Sequence, residues 1–219
     1  MGTCMVLSCW STTSLEDVAS SCNGLKWFLL NPFTNRDVMA NLIRRAEVNG
    51  FKAIVLTVDI PVVGKRYDGF GGMFTASYFP NVKEAFKCEN LENLTPNIAN
   101  TIHSSLATWD VMIPWIKSVT SLPVVLKGIL VVDDAKLAVK YGADGIIVSN
   151  HGGRQFDGAP ATIEVLPEIV SAVANDIEVY MDGGVRSGSD IFKALALGAR
   201  AVFVGRPILW GLAYQVVQD

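Results

Sequence analysis

The chain has 219 residues, half of them hydrophobic and only 18% charged, which is enough for one domain with a sizeable core. Its formal net charge is −3 and its lysines and arginines form no block, which argues against nucleic acid or an anionic membrane surface as a partner. No apolar run approaches the roughly 20 residues of a membrane helix, and the first ten residues lack the pattern of a signal peptide. The four cysteines show no metal-ligand spacing, so we expect them to be reduced and mostly buried in an intracellular protein.

Short apolar runs rich in β-branched residues recur along the chain and are predicted to be strands. Most of these runs are continuous rather than alternating, which is typical of parallel strands buried on both faces. The seven predicted strands run from Cys4 to Ser8, Trp27 to Asn31, Lys52 to Asp59, Pro123 to Gly128, Asp144 to Asn150, Glu178 to Gly184 and Ala201 to Pro207.

Helical patterns lie between these strands. The segment "SLEDVAS" begins with Ser14 as a candidate N-cap, and "NRDVMANLIRRAEVNG" places Val38, Leu42 and Ala46 on one face before it stops at Gly50. The segments "VDDAKLAVKYGADG" and "SGSDIFKALALGA" repeat this design, each with a glycine before the next strand. In total we count six helices between the seven strands.

Alternation of strands and helices predicts an α/β fold with a parallel sheet. There is no GxGxxG after the first strand and no GxxxxGK[ST] anywhere, which argues against a dinucleotide-binding or P-loop domain. We therefore predict a TIM (β/α)8 barrel that is incomplete, with about seven strands, as a single domain over residues 1–219.

Residues 62–107 break this rhythm, because no strand–helix unit is evident there. The segment combines a Gly- and aromatic-rich stretch with a polar one that contains His103, which we expect to be solvated. A long insertion after a barrel strand emerges at the catalytic face, so it is predicted to be either a lid or a mobile surface loop.

Polar residues gather where the predicted strands end, which is the catalytic face of a barrel. The histidine and arginine of "SNHGGRQFDG", His151 and Arg154, suit a general base and a carboxylate clamp. Asp59 is placed to orient the imidazole, and Lys127 either stabilises negative charge on a cofactor ring or forms a salt bridge with a carboxylate. Taken together on one face, these residues predict an active site.

The ends of the last two predicted strands indicate a phosphate site. Three glycines there let backbone N–H groups approach an anion, and two arginines add charge. Tight packing between helix and strand explains the glycines equally well, but it does not explain the arginines. The residues are Asp182, Gly183, Gly184, Arg186, Gly205 and Arg206.

The segments "KAIVLTVDIP", "LPVVLKGIL", "GIIVSNHGGRQFDGAPATIEVLPEI" and "DGGVRSGSDIFKALALGARAVFVGRPILWGLA" resemble the FMN-dependent 2-hydroxy acid oxidase family, in particular the animal peroxisomal, glycolate-type enzymes. The resemblance covers nearly the whole chain. It implies oxidation of a small 2-hydroxy acid to a 2-oxo acid with FMN as cofactor and oxygen as acceptor. It also implies a peroxisomal location, although the chain carries no targeting signal, and a tetramer as a possible homo-oligomer.

The resemblance assigns roles to individual residues. It makes His151 the catalytic base, Asp59 its partner and Lys127 the lysine beside the flavin. Arg154 and Arg66 would bind the substrate carboxylate. Flavin contacts are implied for Ser8, Thr57 and Ser149, and contacts to the ribityl-phosphate for Asp182, Gly184, Arg186, Gly205 and Arg206.

This sequence departs from the family pattern in two respects. In "WFLLNPF", Leu29 and Asn31 stand where relatives have a flavin-contacting glutamine and a substrate-binding tyrosine. In addition, the chain is expected to begin within the family's second barrel strand and to lack the last helix. Two alternatives therefore stay open: an inactive relative that binds FMN weakly or not at all, and a phosphate-binding barrel enzyme without flavin.

Overall fold

The structure is a computed structural model that describes residues 2–62, 79–86 and 108–214. Its seven strands form one sheet in which each strand pairs in parallel with the next along the chain. The strands are β1 (Met5–Ser8), β2 (Lys26–Leu30), β3 (Ile54–Thr57), β4 (Val124–Ile129), β5 (Gly145–Val148), β6 (Glu178–Asp182) and β7 (Val202–Phe203). The helices are α1 (Leu15–Ser21), α2 (Arg36–Val48), α3 (Pro80–Phe86), α4 (Trp109–Val119), α5 (Val132–Lys140), α6 (Thr162–Val173), α7 (Gly188–Ala196) and α8 (Arg206–Tyr214).

The sheet curves on itself as a barrel does. Trp27 on β2 and Phe203 on β7 are five strands apart in the sheet, a span of roughly 24 Å if the sheet were flat. Their ring centroids lie only 5.5 Å apart, and both rings also contact Tyr180 on β6. The parallel barrel architecture is therefore confirmed, and no pairing between β1 and β7 is present in the described residues.

All seven predicted strands are present, although most are shorter than predicted. The expectation of burial on both faces is correct for β3 and β5, where every residue is buried. It is wrong for β2, which alternates between buried and half-buried residues, and for β1 and β7, where most residues retain exposure. The reason is position, because β1 and β7 have a neighbouring strand on one side only among the described residues.

The predicted helix boundaries follow from the capping residues. The Ser14 hydroxyl accepts a hydrogen bond from the Asp17 backbone N–H at 3.0 Å and caps α1. In α2, the side chain of Asn35 caps the first turn, and the chain leaves the helix at Gly50 with φ of +79°. These two predictions are confirmed.

The interval between β3 and β4 contains two helices, α3 and α4, so seven helices rather than six lie between β1 and β7 in the described residues. The prediction of no regular unit in 62–107 is thus wrong for Pro80–Phe86. Asn81 explains why α3 docks on the outer layer: its amide accepts from the Leu15 N–H at 2.7 Å and donates to the Thr13 carbonyl at 3.2 Å. The lid hypothesis concerns residues 63–78 and 87–107, which lie outside the described residues, as does His103.

Apolar side chains form two clusters, one on each face of the sheet. The outer cluster fills the space between strands and helices and includes fully buried residues such as Phe28, Leu42 and Ile146. The inner cluster is small and lies inside the barrel; its buried members are Val55, Val125, Ile147 and Tyr180.

Two expectations from composition have mixed outcomes. Cys9 is buried, but Cys4 is half-buried and Cys22 is exposed, so the expectation of mostly buried cysteines is wrong for the three that are described. None of the helices in residues 2–62, 79–86 and 108–214 is long and apolar enough to cross a bilayer.

Candidate functional site at the carboxyl ends of the strands

The predicted site residues lie at one edge of the sheet, because parallel strands all end on the same side. Ser8 ends β1, Thr57 ends β3 and Asp182 ends β6, while Ser149 directly follows β5. Lys127 pairs in register with Thr57 across β3 and β4, but it does not end its strand as predicted. Strand β4 continues to Ile129.

His151 and Asp59 form a hydrogen-bonded pair across 92 residues of sequence. The imidazole Nδ1 lies 3.0 Å and 3.1 Å from the two Asp59 carboxylate oxygens. A carboxylate only accepts, so Nδ1 carries a proton, and in the neutral imidazole Nε2 then keeps its lone pair. The side chains are 22% and 13% exposed, so the pair is shielded and still reachable from solvent.

The histidine sits in a left-handed turn. His151, Gly152 and Gly153 have φ of 58°, 65° and 72°, and His151 is the one non-glycine residue with positive φ in the described part of the chain. Asn150 holds this turn, since its side-chain oxygen accepts from the Gly153 N–H at 3.2 Å. A non-glycine residue in this region costs about 1–2 kcal/mol, and such strain is often found at functional sites.

Ser149 connects the histidine turn to Lys127. The buried Ser149 Oγ accepts from the His151 backbone N–H at 3.1 Å and from Lys127 Nζ at 3.0 Å. Lys127 Nζ also lies 3.2 Å from an Asp182 carboxylate oxygen. The salt bridge that the sequence left open for Lys127 is therefore present, and it brings β4, β5 and β6 together at the site.

The predicted phosphate-binding glycines have different surroundings. A Cβ at Gly184 or Gly205 would meet no atom of the described residues within 4 Å, so the backbone there is open to a ligand. A Cβ at Gly183 would lie 3.0 Å from the Asn150 side chain, so this glycine serves close packing. The alternative explanation of the glycines thus applies to one of the three.

The two arginines of this region also differ. The Arg206 guanidinium donates to the Gly152 carbonyl and so reaches the histidine turn. Arg186 is exposed, and its guanidinium has no hydrogen-bond partner among the described residues. The Arg186 backbone N–H donates to the Asp190 carboxylate, which also accepts from the backbone N–H and the hydroxyl of Ser187. These hydrogen bonds hold the pKa of Asp190 below its usual range.

The remaining predicted residues are placed as follows. Arg154 follows the histidine turn and is exposed, while Arg66 lies outside the described residues. Leu29 faces the barrel interior and packs on the inner cluster. Asn31 is buried, and its side-chain oxygen lies 3.7 Å from Cys9 Sγ. Burial raises the pKa of Cys9 to about 12, so the thiol keeps its proton and donates to Asn31.

Sequence reasoning missed two residues that support the pair. Gln155 donates to the carbonyls of Asp59 and Val62 at 3.4 Å and ties that segment to the histidine turn. A Cβ at Gly128 would lie 2.6 Å from the Asp59 Cβ. Gly128 had a signal, because the apolar run continues past it to Ile129 and Leu130, and a glycine inside a strand indicates a bulge or a close approach of another segment. Nothing local to Gln155 reveals its partners.

Comparison with known proteins adds independent findings. The family model described as FMN-dependent dehydrogenase matches residues 1–218. The chain is 50% identical to 2-hydroxyacid oxidase 1 of Mus musculus, over 98% of this chain and 60% of that protein. It is 47% identical to glycolate oxidase of Spinacia oleracea, over 97% of this chain and 59% of that protein.

Solved structures give the same result for the fold. Mandelate oxidase with (S)-4-hydroxymandelic acid superposes with a TM-score of 0.83 at 44% identity, covering 96% of this chain and 60% of that one. A mandelate oxidase variant with the monooxide FMN adduct gives a TM-score of 0.77 at 43% identity, covering 96% of this chain and 57% of that one. The chain thus spans about three fifths of the length of the relatives it matches.

Proposed function

The chain belongs to the FMN-dependent dehydrogenase family, and from this premise we propose that it serves the FMN-dependent oxidation of a 2-hydroxy acid to a 2-oxo acid. The observation that carries the proposal is the Asp59–His151 pair, held beside Lys127 and Asp182 at one edge of the sheet. The alternative of a phosphate-binding barrel enzyme without flavin would explain the open glycines, but it would not explain the Asp59–His151 pair or Lys127.

The described residues fit FMN. Thr57 is fully buried, and among the described residues its hydroxyl oxygen has no hydrogen-bond partner, which is costly unless a ligand supplies one. Gly184, Gly205 and the exposed Arg186 offer backbone and charge to a phosphate group. Ser8 and Ser149 are the further residues that would hold the cofactor. When bound, FMN accepts the two electrons that leave the substrate.

His151 acts as the base of this reaction. Because Asp59 holds the proton on Nδ1, the other ring nitrogen, Nε2, is the atom that takes a proton from the substrate. The negative Asp59 then stabilises the imidazolium that forms. In our proposal, Arg154 and Arg66 bind the substrate carboxylate, and the positive Lys127 favours negative charge at the cofactor.

The balance of the reaction is simple. The substrate loses the hydroxyl hydrogen and the hydrogen on C2, which together amount to two protons and two electrons, and the C2–O single bond becomes a carbonyl. Oxygen takes up two electrons and two protons and leaves as hydrogen peroxide. We further propose a peroxisomal location and a homo-oligomer, which rest on the family resemblance alone.

The first test is a visible absorbance spectrum of the purified chain with FMN, before and after glycolate or a longer 2-hydroxy acid is added without oxygen. We expect a bound-flavin spectrum that bleaches on addition of substrate. A His151→Gln variant should keep the bound-flavin spectrum and lose the bleaching. The matched control is His103→Gln, because His103 is the only other histidine.

Each other outcome has a clear meaning. A spectrum identical to that of free FMN would contradict the proposed cofactor site in this chain and favour the inactive relative. Bound flavin that bleaches equally in the His151→Gln variant would remove His151 from the role of base.

A further inference from the structure

We propose that Gly128 is a positioning residue for the Asp59–His151 pair. Asp59 lies two residues beyond the end of β3, and Gly128 lies on the adjacent strand β4. A Cβ added to Gly128 would lie 2.6 Å from Asp59 Cβ, 2.7 Å from Asp59 Cγ and 3.0 Å from the Asp59 backbone N. Asp59 therefore occupies the space that any other residue at 128 would fill.

The backbone at Gly128 explains how this space arises. Lys127 pairs with Ile147 while Ile129 pairs with the next residue of β5, Val148, so Gly128 is the extra residue of a β-bulge. Its φ of +118° is one that side chains rarely adopt. The bulge thus has two effects: it bends β4 after Lys127, and it makes room for Asp59.

The consequence for the pair follows from distances. Ordinary contact with a Cβ begins at 3.4 Å, so Asp59 would have to retreat from its present 2.6 Å. The Asp59 oxygens lie 3.0 Å and 3.1 Å from His151 Nδ1, and a displacement of this size is large enough to disrupt both hydrogen bonds. Gly128 thereby determines which nitrogen of His151 carries the proton. The catalytic value of this effect rests on the proposed function, whereas the contact itself does not.

The test uses the chain without FMN, so its outcome is separate from that of the flavin experiment. Imidazole ¹H–¹⁵N spectra are recorded at a pH where the ring is neutral, in a His103→Gln background that leaves His151 as the single histidine. In the parent we expect the Nδ1–H tautomer. In Gly128→Ala we expect its loss, with the Nε2–H form now populated. Retention of the Nδ1–H tautomer in a folded Gly128→Ala chain would overturn the proposal.

Gly142→Ala is the matched control. Gly142 also has positive φ, +82°, but a Cβ there would meet no atom within 4 Å in the part of the chain that the structure describes. It precedes β5 and so lies at the opposite end of the strands from the site. This variant also places a side chain at positive φ and should leave the His151 tautomer unchanged; a change as large as that in Gly128→Ala would overturn the proposal.

A Gly128→Ala chain that does not fold is resolved by a double variant. Asp59→Gly removes the Cβ and Cγ atoms that the new methyl group would meet. If the clash with Asp59 is the cause, Asp59→Gly/Gly128→Ala folds where Gly128→Ala does not. If the double variant also fails to fold while Asp59→Gly alone folds, the backbone at the bulge rather than the Asp59 side chain requires the glycine, and the proposal is wrong.

Discussion

The two faces of the sheet differ in the size of their apolar clusters and in the polar side chains they carry. On the outer face, side chains from strands and helices form one large apolar cluster with many fully buried residues. On the inner face the apolar cluster is small, and the carboxyl ends of the strands carry Asp59, Lys127, Ser149 and Asp182. Stability is therefore concentrated outside the sheet and chemistry inside it, and the two can be disturbed separately.

The largest expected effect is a loss of stability from the outer cluster. Phe28 on β2 is fully buried and contacts Phe51 with ring centroids 5.7 Å apart. Phe28→Ala leaves a cavity that the rigid layer cannot close, so we expect about 3–5 kcal/mol lower free energy of unfolding. Urea denaturation followed by circular dichroism measures this value. Val48→Ala, at an 81% exposed position on α2, is the control and should be near neutral.

A matched variant on the inner face sharpens the comparison. Phe203 on β7 is only half-buried and contacts Trp27 and Tyr180. Phe203→Ala should therefore cost less than Phe28→Ala in the same urea experiment. An equal or larger cost would show that the inner face contributes to stability as much as the outer layer does.

The next expected effect is smaller and concerns the pH dependence of the stability that Tyr180 contributes on the inner face. Burial and the neighbouring Glu178 carboxylate, to which the hydroxyl donates, raise the pKa of Tyr180 above its ordinary value of 10.0. A raised pKa in the folded state means that the contribution to stability is present below pH 10 and is lost as pH rises above it. Tyr180→Phe should lower the free energy of unfolding by about 1 kcal/mol at neutral pH and flatten its alkaline decline. An unchanged alkaline decline in this variant would assign the effect to another group.

The smallest effect belongs to an ion pair on the outer layer. Arg45 Nε and Nη2 bind the two Glu16 carboxylate oxygens at 2.8 Å and 2.9 Å, and this hydrogen bonding holds the pKa of Glu16 below its usual 4.5. A lowered pKa means that the contribution is present above pH 4.5 and is lost as pH falls below it. The Glu16 side chain is 40% exposed, so screening limits the cost of Glu16→Gln to about 1 kcal/mol or less.

Acid titration of the Glu16→Gln variant measures that contribution. We expect the difference in unfolding free energy between parent and variant to shrink as pH falls below 4.5. Glu84→Gln is an informative companion, because Glu84 also binds Arg45, at 2.9 Å, but is 65% exposed. We therefore expect Glu84→Gln to lower the free energy of unfolding by less than Glu16→Gln does. A larger decrease for Glu84→Gln would contradict this expectation.

Much of the fold followed from local pattern. Continuous apolar runs separated by helices with recognisable caps indicated a parallel barrel, and Ser14 and Gly50 marked helix ends that the structure confirms. The failures were non-local. Helix α3 was missed because its docking depends on Asn81 reaching Leu15, 66 residues away. The half-exposure of β1 and β7 was missed because a strand's sequence does not show its place in the sheet.

The same division holds for the candidate site. Apart from Lys127, whose strand continues to Ile129, the sequence by itself determined which residues stand at the strand ends, because periodicity and glycines are local properties and parallel strands end on one side. The sequence also proposed Asp59 as the partner of His151, and the structure brings the two together. Only the tertiary structure decided the other partners, Asp182 for Lys127 and the Gly152 carbonyl for Arg206. The physical reason is that a hydrogen bond requires positions accurate to a few tenths of an ångström. That accuracy comes from packing, as at the bulge of Gly128, where the absence of one Cβ leaves room for Asp59.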